Sequence, residues 1–244
     1  MNSVYAVFWR EMIILSRRLK RMLASYAISP MLFMLAFGWG MGKGISVEGV
    51  DYLSYMVPGL FALSSMSQSF SIATDINVAR FYWMTFEEFQ TSPVSYLSVT
   101  LGEALAGMVR GLLAPLVITI VALLAGVKLH FSFLLIMAVL LNSFQFSCGA
   151  ILAAMKVRSH ADQSTLTSFI IVPMSFLCGT FFPLERLPEW AGFLVGLLPL
   201  THASHAIRAA ALGQPFPWVS ALVMVLYGGV FFLLATKSVR QASI

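Results

Sequence analysis

Residues 24–42, 53–74, 100–126, 132–155, 164–182 and 218–236 are apolar runs with few charges, and each approaches the roughly 20 residues that a helix needs to cross a bilayer. In hydrocarbon only a helix or a closed barrel satisfies every backbone N–H and C=O, and runs of this length and continuity favour helices. The expected fold is therefore all-α and integral to the membrane, with six transmembrane helices. Composition agrees: 59% of residues are hydrophobic and 10% charged, against about 45–50% and about 25% in soluble domains. No water-soluble packing hides that much apolar surface.

A seventh stretch, 192–212, starts apolar but carries Pro199, His202, His205 and Arg208, which are costly at the centre of a bilayer. It reads as a pair of short re-entrant or interfacial helices within an outer region spanning 183–216. Basic residues in short connections favour the cytoplasm. With six spans, one side collects Arg10, Arg17, Arg18, Lys20, Arg21, Arg80, Lys156, Arg158, Lys237 and Arg240, and the other Lys43, Lys128, Arg186 and Arg208. Both termini are then cytoplasmic. Counting 192–212 as a full span would put Lys237 and Arg240 outside, so charge placement supports the re-entrant reading independently.

Several function classes drop out. The net charge of +5 is spread over span ends and forms no basic face, so no nucleic-acid partner is expected. Cys148 and Cys178 lie in apolar runs and make neither a disulfide framework nor a metal spacing. His202 and His205 are too few for a metal site without carboxylate or thiol partners at suitable spacing, and the split of His130, His160, His202 and His205 between loops on opposite sides argues against a membrane enzyme. A phosphate-cradling loop needs Gly, four residues, then Gly-Lys-Ser/Thr. The pair Gly42-Lys43 has Phe37 in the first glycine's place and Gly44 after it, so this chain does not bind ATP by that device. Residues 1–22 lack the short apolar core and small-residue site of a cleavable signal. The chain reads as one membrane domain with no soluble module.

Four segments invite a functional reading. In residues 1–23, Val4, Phe8, Met12 and Leu15 oppose Arg10, Arg17, Arg18 and Arg21, the pattern of an amphipathic helix lying in the interface. It serves as a topological anchor or as a contact for a cytoplasmic partner. The loop 75–97 contains Phe81, Trp83, Phe86 and Phe89 beside Glu87 and Glu88, and ends at Pro93. A short amphipathic helix fits, its aromatic face dipping into headgroups or filling a groove on another protein. Ser64, Gln68, Ser71 and Asp75 recur at helical spacing in the second span, turned toward other helices or a wet path. Asn142, Gln145 and Cys148, and Ser164, Ser168 and Ser175, repeat the pattern, and Gly38/Gly42 and Gly107/Gly111 permit close helix contact. Glu103 and Arg110 lie seven residues apart, on nearly one face. They belong to the cytoplasmic interface or to a substrate or proton role.

The order of parts resembles the ABC type-2 exporter permeases. Residues 55–60, Tyr-Met-Val-Pro-Gly-Leu, resemble the start of that family's second span. Residues 85–94, Thr-Phe-Glu-Glu-Phe-Gln-Thr-Ser-Pro-Val, resemble its coupling helix, with Met84 where glycine is usual. Residues 179–190, Gly-Thr-Phe-Phe-Pro-Leu-Glu-Arg-Leu-Pro-Glu-Trp, with Leu-Pro-Leu-Thr at 198–201 and Ala-Ile-Arg at 206–208, resemble its C-terminal signature closely.

The resemblance implies a single type-2 transmembrane domain over 1–244, in a multi-pass protein of the bacterial inner membrane. It implies docking of Arg80, Phe81, Thr85, Phe86, Glu87, Glu88, Phe89 and Pro93 against an ABC ATPase subunit. Two ATPase copies would hold the ATP and Mg, and a second permease copy would complete a homodimer in membrane lipid. The chain itself would be no enzyme and carry no cofactor. Phe33, Phe37, Ser64, Gln68, Ser71 and Ser168 would line the substrate path, and Phe182, Pro183, Leu184, Glu185, Pro188, Pro199 and Arg208 the outer signature. The cargo would be an amphipathic drug-like or lipid-type molecule, or alternatively a polysaccharide or lipo-oligosaccharide. A secondary transporter working without ATP would want buried ionisable residues in several spans, and beyond Glu103 and Arg110 the spans hold almost none.

Overall fold

The computed structural model describes residues 2–42, 44–47, 49–83 and 94–242, which are predominantly helical. Helix α1 (Asn2–Phe33) passes directly into a π-helical stretch, Met34–Met41. A surface helix at 1–23 separate from a first span at 24–42 is therefore not what the chain forms. The reason is local: residues 2–29 contain neither Gly nor Pro, so no backbone bond is lost there. The first breaker is Pro30, which lacks an N–H and crowds the carbonyl one turn back. The π stretch begins four residues after it.

A two-residue hairpin follows, β1 (Ser46–Val47) antiparallel to β2 (Val50–Asp51). Asp51 then caps α2 (Tyr52–Phe70), its side chain accepting from Leu53 N at 3.1 Å. The second apolar run is split at Ser71, whose Oγ donates to Gln68 O, and α3 (Ile72–Phe81) continues beyond the break. Residues 75–81, assigned to a loop by sequence, are thus helical.

Ser95 caps α4 (Tyr96–Leu124) and Ser132 caps α5 (Phe133–Lys156), each accepting from a backbone N–H three residues on. The fifth run is broken into α6 (His160–Leu166), a π stretch Thr167–Ile171, and α7 (Val172–Leu177), with Pro173 at the start of α7. A 3₁₀ turn, Leu184–Arg186, precedes α8 (Glu189–Gly196) and α9 (Pro199–Leu212). Gly213, at φ +69°, ends α9 in the left-handed conformation that glycine adopts freely. Helix α10 (Trp218–Ala242) closes the described chain.

Among the described residues four helices are long and apolar enough to cross a membrane: Ser3–Gly40, Tyr96–Leu124, Phe133–Lys156 and Trp218–Gln241. Helix α2 has 19 residues, or about 28 Å at the α-helical rise. Helices α8 and α9, of 8 and 14 residues, reach only about 12 and 21 Å against a hydrocarbon core of about 30 Å. At the centre stands α5, which packs on α2, α4, α9 and α10.

A polar seam fixes this centre. Asn142 Nδ2 donates to Ala62 O at 3.0 Å and to Ser65 Oγ at 2.6 Å, and Gln145 Nε2 donates to Asn142 Oδ1 at 3.0 Å. Gly107 and Gly111 let α4 close on the seam: a Cβ at Gly111 would lie 2.0 Å from Ser69 Oγ and 2.8 Å from Ser143 Cβ. The polar positions of α5 are therefore helix-packing contacts, as is common in bilayers.

Candidate functional site

Six charges from three helices meet where α1, α3 and α4 converge. Arg10 Nη2 lies 3.0 Å from Glu103 Oε1 and 2.8 Å from Glu11 Oε1. Arg110 Nη2 lies 3.2 Å from the other oxygen of Glu11, and its Nη1 donates to Asp75 Oδ2. Arg18 Nη1 stands 3.7 Å from Asp75 Oδ1. The contacts form one chain of alternating sign: Glu103, Arg10, Glu11, Arg110, Asp75, Arg18.

Three cations and three anions balance, which is what makes burial tolerable, since an unpaired charge in a dry site is very costly. Burial is uneven along it: the side chains of Glu11, Glu103 and Arg110 are 3–4% exposed, whereas Asp75, Arg10 and Arg18 are 28%, 35% and 55% exposed. A cavity of about 230 Å³ borders the chain, walled by Ile14, Ala79 and Trp83 as well as its charges. Close approach of α1 to α4 depends on Gly102, where a Cβ would sit 2.7 Å from Val7 Cβ.

Helix α3 is tied on its other sides too. Asn77 Nδ2 donates to Gln163 Oε1 of α6 at 3.1 Å, and Arg80 donates to the Ala154 carbonyl of α5. Tyr82 packs its ring against His160, 5.2 Å between centroids. Arg80 and the half-buried Phe81 thus sit at the last turn of α3. Thr85, Phe86, Glu87, Glu88, Phe89 and Pro93 lie outside the described residues.

At the opposite end, two segments far apart in sequence become one contact. Arg208 on α9 is buried; its Nη2 donates to Gly179 O and its Nε to Tyr55 O at 3.3 Å, with the guanidinium 3.9 Å from the Tyr55 ring centroid. One turn on, Gly59 faces the backbone of Thr180, whose oxygen would be 2.5 Å from an added Cβ. Tyr52 OH donates to Phe181 O at 2.8 Å. The start of α2, from Tyr52 to Gly59, is therefore joined to Gly179, Thr180 and Phe181 directly and through Arg208.

A cavity of about 250 Å³ opens beside it, lined by Pro183, Leu184, Glu185, His202, Ser204 and Arg208 among others. Phe182, Pro183 and Leu184 are half-buried, Glu185 and Pro188 exposed, and Pro199 buried at the start of α9. His205 Nδ1 is 3.4 Å from Ser220 Oγ. Among the described residues no group of three or more His, Cys, Asp or Glu could hold a metal ion.

Of the path residues, Phe33 and Phe37 are brought together with Phe181, at 5.1 and 5.4 Å between ring centroids, and Phe176 extends the cluster. Ser64 is buried, Gln68 and Ser71 are half-buried, and Ser168 is exposed on the second π stretch.

The sequence profile of the ABC-2 type transporter family matches residues 2–212, most of the chain. This chain belongs to the ABC-2 type transporter family. Relatives of this permease include nodulation protein J of Rhizobium meliloti (strain 1021), 28% identical over 217 residues, which are 87% of this chain and 83% of the relative. The inner membrane transport permease YadH of Escherichia coli (strain K12) is 25% identical over 219 residues, 88% and 85% of the two chains. The daunorubicin resistance ABC transporter permease protein DrrB1 of Streptomyces coeruleorubidus is 25% identical over 236 residues, 95% and 83%.

Sequence reasoning reached Glu103 and Arg110 as a pair in this ABC-2 permease but passed over Glu11. A signal was present: Glu11 is the first acidic residue in a segment that already holds Arg10, Arg17, Arg18, Lys20 and Arg21. One carboxylate among so many cations, on the apolar side of an amphipathic helix, marks a position that needs a buried partner.

Proposed function

We propose that this ABC-2 permease is the transmembrane subunit of an ATP-driven exporter that moves an amphipathic, drug-like or lipid-type molecule out of the cytoplasm or the inner leaflet. ATP and Mg belong to a separate ABC ATPase, two copies of which dock on residues 84–93 of two permease copies. The observation that carries the reading is the six-member charge chain at the root of that segment. Helix α3 ends at Phe81, shortly before the segment in sequence, and is held to α1 and α4 through Asp75, to α6 through Asn77 and to α5 through Arg80. A push on 84–93 therefore reaches four other helices through hydrogen-bonded contacts, so the two nucleotide states can favour two helix arrangements.

The remaining features fit this scheme. Six crossings follow if α2 with α3, and α6 with α7, span beside the four longer helices. The short α8 and α9 then dip in from the outer side, and both termini are cytoplasmic. The aromatic cluster of Phe33, Phe37, Phe176 and Phe181 suits an amphipathic cargo. The drug-resistance function in the name of DrrB1 supports the same class.

The test is to purify the tagged permease with the ATPase that accompanies it, reconstitute the complex in proteoliposomes, and measure ATP hydrolysis with a panel of amphipathic dyes, lipids and glycans. Stimulation by amphiphiles together with their ATP-dependent movement is expected. Failure of any ATPase to co-purify, or stimulation by glycan polymers alone, would overturn the reading.

A further inference from the structure

Away from the charge chain and the outer contact, a groove of about 310 Å³ runs between α2, α5, α10 and the second π stretch. Its lining is apolar throughout except for Lys156, in the last turn of α5. Three sequence features build it. Gly149 leaves its floor open: an added Cβ would touch only the Phe231 ring, at 3.6 Å, so a methyl fits but a longer side chain enters the groove. Phe231 of α10 forms one wall. The other wall is the Thr167–Ile171 π stretch, which turns Ile171 inward and leaves Phe169 and Ile170 outward; such interruptions concentrate at functional positions.

The lips of the groove are greasy. Ile170, which lines the groove, is an exposed apolar side chain, and so are Phe169 and Val172 beside it in sequence and Val230 and Leu234 on α10. Both α5 and α10 are long and apolar enough to span, so the groove lies between helices suited to hydrocarbon. From Phe146 to Lys156 the α-helical rise gives about 15 Å, half of a hydrocarbon core of about 30 Å and hence the depth of one leaflet. Exposed Lys156 then stands at headgroup depth, where a Lys attracts anionic lipid.

We propose that this groove binds an anionic glycerophospholipid, with one acyl chain lying along α5 from Lys156 toward Phe146 and the phosphate at the Lys156 ammonium. The assignment rests on the groove alone and not on the export reading. Binding sites of this type pair an apolar channel with a few polar groups that fix orientation, and here one cation does so.

The test uses the full-length protein in phosphatidylcholine nanodiscs doped with phosphatidylglycerol that carries a photoactivatable diazirine on its acyl chain, followed by peptide mapping of the adducts. Adducts are expected on α5 and on residues 167–174, competed by unlabelled phosphatidylglycerol and not by added phosphatidylcholine. Lys156→Gln should lower their yield about fivefold, the factor that one lysine near an anionic surface contributes, and Gly149→Leu should abolish labelling of residues 167–174. Unchanged yield in Lys156→Gln, adducts without preference for these peptides, or disulfide capture of two copies through Ile170→Cys in place of lipid labelling would each overturn the proposal. Where Gly149→Leu gives no monodisperse protein, Lys156→Gln decides, because that side chain is exposed.

Discussion

Replacing Arg110 by leucine removes the central cation of the charge chain, and the structure sets the size of the effect. Arg110 faces Glu11 at 3.2 Å and also holds Asp75. At an effective dielectric of about 20 a pair at that distance attracts by about 5 kcal/mol before desolvation is counted. Without Arg110, Glu11 is left at 4% exposure with Arg10 alone, and Arg10 must then serve Glu103 as well. Breaking a buried pair from one side costs about 3–5 kcal/mol, and each kcal/mol moves the melting temperature of a chain this size by about 2–4 °C.

A fall of about 6–20 °C is expected for Arg110→Leu, read by fluorescence-detected gel filtration of heated, detergent-solubilised protein. The double variant Glu11→Leu/Arg110→Leu should recover part of this loss, because it leaves two intact pairs, Glu103 with Arg10 and Asp75 with Arg18. Contacting residues couple by about 0.5–3 kcal/mol, so the double should lie above the sum of the singles by that margin. A single variant melting within about 3 °C of the parent, or strict additivity in the double, would refute a cooperative chain.

Gly59→Ala should destabilise by about 1–3 kcal/mol through overpacking, since its Cβ would meet the Thr180 carbonyl at 2.5 Å; the same melting assay reads it, and an unchanged melting point would contradict that contact. Glu87→Lys should lose ATPase co-purification while inserting normally, and retention of both the ATPase and transport would remove the docking role from this segment. A tag after residue 244 should be protected from impermeant reagents added outside whole cells; labelling there would reverse the proposed topology.

The third, fourth and sixth apolar runs were legible because each is continuous and begins behind a serine or a turn: 100–126 became Tyr96–Leu124, 132–155 became Phe133–Lys156, and 218–236 became Trp218–Ala242. The breaks were not legible. Helix α2 gives way to α3 at Ser71, and nothing distinguishes it in sequence from the serines at 64, 65, 67 and 69. The continuity of α1 was hidden for the opposite reason, since its change from cationic to apolar character near residue 23 carries no backbone signal. At the site, Glu103 and Arg110 share one helix and announce each other. Their partners are 93, 99 and 35 residues distant, a separation over which periodicity says nothing. The contact of residues 55–60 with 179–190 was carried by two motifs whose meeting only the fold reveals.

The charge chain also imposes an order of events on biogenesis. Arg10 and Glu11 leave the ribosome long before Arg110, which lies 99 residues beyond Glu11. At about 5–20 residues per second that interval lasts roughly 5–20 s. Throughout it Glu11 has only Arg10 of its own helix as a partner, so the charge-paired seat of the first segment synthesised is complete only once α4 has been delivered.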